Sequence, residues 1–385
     1  MNPVLAAGTA ATAIVLAHGV PWSAFALVAL PRPRALRQAG RPWPLAVIVP
    51  AHNEEAMLGA TLDSLVAAAG DFAPEIVVVA DNCTDGTAAV ARSRPVRVLE
   101  RTNPDLRGKN YALSFALAEL AARSEPPEAV CFVDADTIVS ETFFAAIVAR
   151  IDAGAKAVQV HYEAAAGDSP LSRLRRLAFL LVHRARPLGM ARLGLGTGLK
   201  GNGMALRWEL VRDGFEGSGI TEDAAMTLAL ARRGVRVAFE PRAWVRGHMA
   251  GSYANARVQD ERWEGGRFGL MRGALAAAVD SLRRGHMDTA AAALDVASLP
   301  LTLLGVLAGA GVVLVAVGGG PWWFALAGPA SLASYGGLGL AGAGVTAREL
   351  GALAEAPRFV VHKLRTYAAL AARRGPTDWE RTSRR

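Results

Sequence analysis

Cysteine is scarce in this chain, with only Cys83 and Cys131 among 385 residues. Two thiols cannot staple a chain of this length, and neither stands at a metal-ligand spacing. A disulfide framework and a cysteine-zinc site are both excluded, and the two read as buried thiols. The seven histidines do not cluster either. His18, His161, His183, His248, His286 and His362 are scattered without a paired spacing and read as structural. Charge is sparse as well, at 20% of residues against 52% hydrophobic. That balance leans towards a membrane protein. The net charge of +8 comes almost wholly from arginine. No nucleic-acid-binding motif accompanies it, so no nucleic acid is expected, and the placement of the arginines points to lipid.

Charge is missing altogether from Asn2 to Pro31 and from Val296 to Ala347. The first run is enough for one span of ~20 residues across ~30 Å of hydrocarbon. A cleaved signal would have a shorter apolar core and a basic start. Here Arg32, Arg34, Arg37 and Arg41 follow instead, which puts the amino terminus outside and the next segment in the cytoplasm. The second run suits two spans turning at Gly318-Gly319-Gly320-Pro321, with Trp322-Trp323 as an interfacial anchor. Arg283 and Arg284 before it, and Arg348, Arg358, Lys363 and Arg365 after it, make both flanks cytoplasmic. Gly337, Gly339, Ala341 and Ala343 would either let helices approach closely or leave that span loosely packed. The alternation of apolar and basic residues from Pro357 to Arg374 predicts a helix on the inner membrane surface. Leu171, Leu174, Leu177 and Leu181, beside Arg173, Arg175 and Arg176, fit a second surface helix or an ordinary domain helix equally well. The expected layout is therefore a membrane helix over 1–31, a cytoplasmic domain over 42–250 and an interface segment over 251–294. Two spans follow over 295–347, then a basic tail over 348–385.

Between the apolar regions the pattern alternates strand and helix. Leu45–Val49 is a short continuous apolar run, as a buried parallel strand reads, and a helical stretch follows from about Glu54 to Ala69. Ile76–Val79, Val96–Leu99 and Ala129–Val133 are the next strands. This predicts an α/β domain with a mainly parallel sheet, whose ligands bind beyond the carboxyl ends of the strands.

Polar residues of interest stand at those ends. Asp134-Ala135-Asp136 closes a strand and offers two carboxylates that can grip a hard divalent cation, or simply form a turn. Asp81 closes the second strand, where it could accept hydrogen bonds from a base or ribose; Asp85 reads as a helix cap. In Thr221-Glu222-Asp223, Thr221 could cap the helix that begins there, and a carboxylate at the same place could act as a general base.

Together these segments resemble family-2 glycosyltransferases. Val47-Ile48-Val49-Pro50-Ala51-His52-Asn53-Glu54-Glu55 looks like the family's opening motif. The Asp81 loop, Gly108-Lys109-Asn110-Tyr111-Ala112-Leu113, Asp134-Ala135-Asp136 and Thr221-Glu222-Asp223 follow in the family's order. Gln259-Asp260-Glu261-Arg262-Trp263 then matches the Gln-x-x-Arg-Trp signature of its membrane-bound members, such as cellulose and hyaluronan synthases. Gly201-Asn202-Gly203-Met204-Ala205-Leu206-Arg207 resembles the segment lining the acceptor side. His52 stands where related enzymes carry tyrosine, and Ala80 replaces the first of a common aspartate pair.

The resemblance implies a GT-A fold, a divalent metal (Mg or Mn) and an inverting transfer from a UDP-sugar. It implies that His52, Glu54 and Asp81 hold uracil and ribose, and that Lys109 contacts the nucleotide or diphosphate. Asp136, helped by Asp134, would bind the metal, with Asp134 also on the donor side. Asp223 would be the base and Arg262 would steady the departing diphosphate. Trp263, Gln259 and Gly203 would face the acceptor. Two acceptors suit this chemistry: a growing exopolysaccharide or cell-envelope polymer, or a lipid, as in ceramide glucosyltransferases. A third possibility is a membrane subunit that binds a nucleotide sugar without catalysis. The expected partners are a UDP-sugar, a saccharide or lipid acceptor and the bilayer, with an oligomer or export partner where a polymer is made. The expected place is a cell inner or plasma membrane, multi-pass, with the catalytic domain cytoplasmic.

Overall fold

The computed structural model describes residues 2–33, 43–165, 167, 169–215, 221–249 and 252–372. Arg34, Arg37 and Arg41 of the basic segment after the first apolar run, and Arg374 of the tail, lie outside the described residues.

Helix α1 (Pro3–Ala29) comes first, capped by Asn2, whose side chain accepts from the Val4 amide. The α/β region then runs β1 (Leu45–Ala51), α2 (Leu58–Ala69), β2 (Glu75–Asp81), α3 (Thr87–Arg92), β3 (Arg97–Arg101), α4 (Lys109–Ala121) and β4 (Ala129–Phe132). It continues with β5 (Thr137–Val139), α5 (Phe143–Asp152), β6 (Ala157–Ala164), α6 (Pro170–Leu180), α7 (Arg186–Arg192), β7 (Met204–Arg207), α8 (Glu222–Arg232) and β8 (Val237–Gly247). Six helices follow: α9 (Tyr253–Arg283), α10 (Met287–Ala297), α11 (Leu301–Val317), α12 (Trp322–Gly342), α13 (Ala347–Leu350) and α14 (Ala356–Ala371).

All eight strands form one sheet in the order β3-β2-β1-β4-β7-β6-β8-β5. Strands β3, β2, β1 and β4 are parallel, as the apolar runs predict. The rest corrects the expectation of a mainly parallel sheet. Strand β7 runs antiparallel to both β4 and β6, and β5 runs antiparallel to β8, so the sheet is mixed. Alternate residues of β1 feed two cores. Leu45, Val47 and Val49 pack with Leu58, Leu62 and Leu65 of α2 and Phe143, Phe144 and Ile147 of α5. Ala46 and Ile48 face Leu113, Leu117 and Leu120 of α4 and Met226 and Leu230 of α8. Each fully buried leucine contributes about 2 kcal/mol relative to exposure, so the sheet is a rigid platform for whatever stands at its strand ends.

A third core joins α1, α6, α11 and α12 through Val15, Trp22, Leu174, Leu177, Leu181, Leu304 and Tyr335. The leucine face of α6 thus packs in a core shared with α1, α11 and α12. Close approach is built in here. A Cβ on Gly189 of α7 would lie 2.0 Å from the Phe25 carbonyl oxygen of α1, and one on Gly339 would meet Leu181 at 2.5 Å. Gly337 meets nothing within 4 Å, so only part of that glycine stripe is a contact face.

The expectation of three spans is met only in part. Among the described residues one helix, α1, is long and apolar enough to cross a membrane. Helices α10 and α11 qualify only if taken together, and a 74° bend separates them. Helix α11 has 17 residues, and the glycines and serines of α12 dilute its hydropathy. Helix α14 also differs from its expectation. It does not simply lie on a surface, because Lys363 is buried against Asp260 and Glu264 of α9.

Candidate active site

The carboxyl ends of β1, β2 and β4, the starts of α4 and α8, and the middle of α9 surround one cavity of about 970 Å³. His52 and Glu54 follow β1. The His52 ring donates through Nδ1 to the Asp81 carbonyl oxygen at 2.7 Å, which ties the two strand ends together. Asn53 between them has φ +54°, a left-handed turn that asparagine tolerates. Asp81 is buried and its Oδ1 takes Arg101 Nη1 at 2.5 Å. Asp85 accepts from the Thr87 amide at 3.0 Å, as a residue at the start of α3 should.

Asp134 and Asp136 leave β4 into the cavity. Their loop is held from behind: Asn202 Oδ1 accepts from the Asp134 amide at 3.2 Å, and Thr61 donates to the Ala135 carbonyl at 2.8 Å. Lys109, in the first turn of α4, reaches Asp134 Oδ1 and the Gly201 carbonyl, both at 2.5 Å, and lies 3.7 Å from Glu222. Burial alone would lower its ammonium pKa. Asp134, Glu222 and Asp223 together outweigh that and hold it above the ordinary lysine value.

Glu222 and Asp223 open α8, but not as an ordinary cap. The Thr221 side chain makes no capping hydrogen bond, while Asp223 Oδ1 accepts from the Ala224 amide at 2.8 Å. Burial raises both acids: Glu222 to about 6, and Asp223 above the usual carboxylate value. A carboxylate with a raised pKa is a better proton acceptor near neutral pH.

From α9, Gln259, Arg262 and Trp263 all line the same cavity. Arg175 of α6 organises them. Its Nη2 donates to Gln259 Oε1 at 2.8 Å, and its guanidinium lies 5.7 Å from the Trp263 ring centroid. Asp260, between these residues, is buried among Arg175, His362 and Lys363 at 3.4, 3.0 and 3.3 Å. Helix α14 therefore fixes the part of α9 that carries Arg262 and Trp263.

Ten of the eleven candidate residues thus meet in one space: His52, Glu54, Asp81, Lys109, Asp134, Asp136, Asp223, Gln259, Arg262 and Trp263. The eleventh, Gly203, does not line it. With φ +64°, it packs where a Cβ would meet Val160 and Val245 at 2.7 Å, so glycine is required there by the sheet. His183 was read as structural, yet it stands in the cavity wall on a π-helical turn, Leu181–Ala185. Its ring stacks on Phe179 at 4.3 Å, and burial pushes its pKa well down, so it is neutral. Lys200, Arg186, Arg267 and Asp295 also line the cavity and escaped the reading of the sequence. They come from four segments with no shared motif. Among the described residues there is no group of three or more His, Cys, Asp or Glu that could by itself enclose a metal ion.

Residues 42–266 match the family described as "Glycosyltransferase like family 2", more than half of the chain. Among curated proteins there is no significant match. Among solved structures, the mannosyltransferase PcManGT from Pyrobaculum calidifontis, in complex with GDP-Man and Mn2+, is 21% identical with a TM-score of 0.53. That match covers 88% of this chain and 99% of that one. Glucosyl-3-phosphoglycerate synthase from Mycobacterium tuberculosis is 24% identical over 51% of this chain and 68% of that one, with a TM-score of 0.36, too low to carry weight. The first likeness extends the shared fold beyond the strand-bearing region into the helices. The chain belongs to the glycosyltransferase like family 2, and it is a glycosyltransferase.

Proposed function

We propose that the chain is an inverting transferase that moves a sugar from a nucleoside diphosphate to an acceptor hydroxyl at the cytoplasmic membrane face. The observation that carries this reading is that Asp136 and Asp223, 87 positions apart in sequence order, line one cavity together with Arg262. His52, Glu54 and Asp81 form the nucleotide end. UDP-sugar is the first donor to try. GDP-sugar is the second, since the archaeal mannosyltransferase was solved with GDP-Man.

Asp223 takes the proton from the acceptor hydroxyl as its oxygen attacks the anomeric carbon. The new carbon–oxygen bond forms while the bond to the β-phosphate oxygen breaks, and the electron pair leaves with the diphosphate. Arg262 and Lys109 stabilise the charge that builds there. Asp136 and Asp134 would supply hard oxygen donors that suit Mg or Mn. Such an ion would neutralise part of the leaving group's charge. Lys109 holds one oxygen of Asp134, so Asp134 would be the helper and Asp136 the main ligand in this reading.

The membrane layout belongs to the same proposal. Helices α1, α11 and α12 form a bundle with Trp322 and Trp323 exposed at 73% and 63%, as an interfacial pair would be. The strand-bearing domain over 42–250 and the segment over 251–294 then lie beneath the inner leaflet of a cell inner or plasma membrane. Where α1 passes Val315, a Cβ on Gly8 would be 2.7 Å from the backbone, so α1 and α11 are closely packed there. This favours single transfer to a membrane-held acceptor over extrusion of a polysaccharide through one chain. The Gln259, Arg262 and Trp263 cluster favours the polymer reading, which requires an oligomer or an export partner.

Purified protein supplied with labelled nucleotide sugars and membrane lipids tests this. One lipid-soluble product means single transfer, and a ladder of products means polymerisation. Turnover that survives unchanged in Asp223→Asn would reject the assignment of the base, and no turnover with any donor would revive the non-catalytic subunit.

A further inference from the structure

Away from the diphosphate end, the cavity holds a second set of cations. Arg186 and Asp295 are both nearly fully buried, with Arg186 Nε 2.9 Å from Asp295 Oδ1. The two atoms are not aligned for a hydrogen bond, and neither finds another partner. Lys200 Nζ lies 3.3 Å from Asp295 Oδ2. Arg267 lines the same space and makes no hydrogen bond or ion pair with the described residues. These three cations face two carboxylates, Asp295 and Asp223, so one positive charge is in excess. His183 adds nothing to the balance because it is neutral. Burial lowers the Lys200 pKa; Asp295 and, less strongly, Asp223 oppose this, while Arg186 and Arg267 add to it. An uncompensated positive charge in a buried site is costly unless an anion arrives.

The place of this cluster is informative. Asp223 lies beside Gly201, where a Cβ would be 3.4 Å from its Oδ2, and Lys109 reaches the Gly201 carbonyl while Lys200 is the residue before it. Both lysines act on the Asp223 carboxylate, so the base is within reach of both sets of cations. Arg186 is locked face-on over Trp22 of α1 at 4.5 Å, so its guanidinium is held ready. The same wall carries the apolar Val296, Pro300 and Leu301 at the α10–α11 bend.

We propose that the acceptor carries a phosphate group, which seats against Lys200, Arg186 and Arg267 while a hydroxyl of the same molecule faces Asp223. The phosphate satisfies the excess charge beside Asp295 and fixes the hydroxyl at the base. It can belong to a lipid headgroup, its chain lying along the α10–α11 wall, or to a free phosphorylated acceptor. The inference rests on the transferase reading for the role of Asp223, but the binding it predicts can be measured without turnover.

The test is equilibrium binding to the full chain in nanodiscs of neutral lipid, with the donor end saturated by nucleoside diphosphate and Mn2+. The probes are dodecyl phosphate, dodecyl glucoside and inorganic phosphate. Dodecyl phosphate should bind at least tenfold more tightly than dodecyl glucoside, and Arg267→Gln should bring the two together. Inorganic phosphate that binds as well as dodecyl phosphate assigns the site to a free acceptor; a tenfold or larger gain from the chain assigns it to a lipid. Equal binding of the neutral and anionic probes to the wild-type chain overturns the proposal. So does an unchanged difference in an Arg267→Gln chain that still binds the glucoside. Failure of nucleoside diphosphate to bind at all would instead strike the transferase mechanism. The probe comparison without nucleotide would then still decide the phosphate site.

Discussion

The two ends of the cavity are built from different material. At the donor end every group stands on a strand terminus or in the first turn of the helix after it, as with His52, Asp81, Lys109 and Asp136. At the other end the groups come from the sides of helices: Arg175 from α6, Arg186 from α7, Trp263 and Arg267 from α9, Asp295 from α10 and Lys363 from α14. Strand ends are held by a sheet whose residues are almost wholly buried, so their positions vary little. Helix flanks are held by ion pairs between elements, as Lys363 is to Asp260 and Glu264. The first end suits a donor shared by many transferases, and the second suits an acceptor that differs from one enzyme to the next.

Substitutions can separate the two ends, and the largest effect should come where they meet. Asp223→Asn should lower kcat by about 1,000-fold or more while nucleotide affinity stays within about twofold, measured by turnover and by calorimetry. The pKa shift also gives a sign for stability. Burial raises the folded-state pKa of Asp223, so its contribution to stability is present at low pH and lost as pH rises through that value. Asp223→Asn should therefore melt no lower than the parent at pH 7. Asp136→Ala should act at the other end. It should weaken metal-dependent nucleotide binding by about 100-fold, read as a shift in the Mn2+ titration.

Lys363→Met tests the helix-borne end. Removing one partner from a buried ionic cluster costs about 3 kcal/mol, so the melting temperature should fall by several degrees. Transfer to the acceptor should fall about tenfold because Arg262 and Trp263 lose their support, while nucleotide affinity should hold. Equal losses in nucleotide affinity and transfer would show that the two ends are one mechanical unit. The pH profile gives a smaller effect. With Asp223 raised by burial and Glu222 raised beside it, the acid limb of kcat/KM should have its midpoint above the ordinary carboxylate range. Glu222→Gln removes the negative charge that disfavours ionisation of Asp223, so the limb should move to lower pH. Least of all, Asp63→Asn breaks an exposed pair with Arg94 and should leave the urea-unfolding midpoint unchanged.

The same division explains what could be read from the sequence. The strands β1, β2 and β4 announce themselves as unbroken apolar runs, and the polar residues that follow them fall where a parallel sheet puts its ligands. Strand β5 is three residues long, and β8 carries Glu240, Pro241, Arg242 and Arg246 within its span, so neither has a readable period. The antiparallel return of β7 depends on the turn at Gly201 and Gly203, and a glycine pair does not say which way the chain turns. Gly203 is expected at the acceptor side only through the family resemblance of its segment, whereas its backbone packs against Val160 and Val245 in the sheet. The cationic cluster could not be read at all, because Arg186, Lys200, Arg267 and Asp295 converge only after α7, α9 and α10 have packed. Helix α14 illustrates the same gap: its alternation of apolar and basic residues is real, but Lys363 turns inward to Asp260.

That inward turn has a consequence for how the enzyme comes into being. Lys363 and Glu264 are 99 positions apart, and their contact closes over the α9 turn that holds Arg262 and Trp263. A nascent chain emerging at about 5–20 residues per second can complete the strand platform and the nucleotide end many seconds before α14 leaves the ribosome. For that interval the α9 turn lacks the brace that α14 supplies through Lys363.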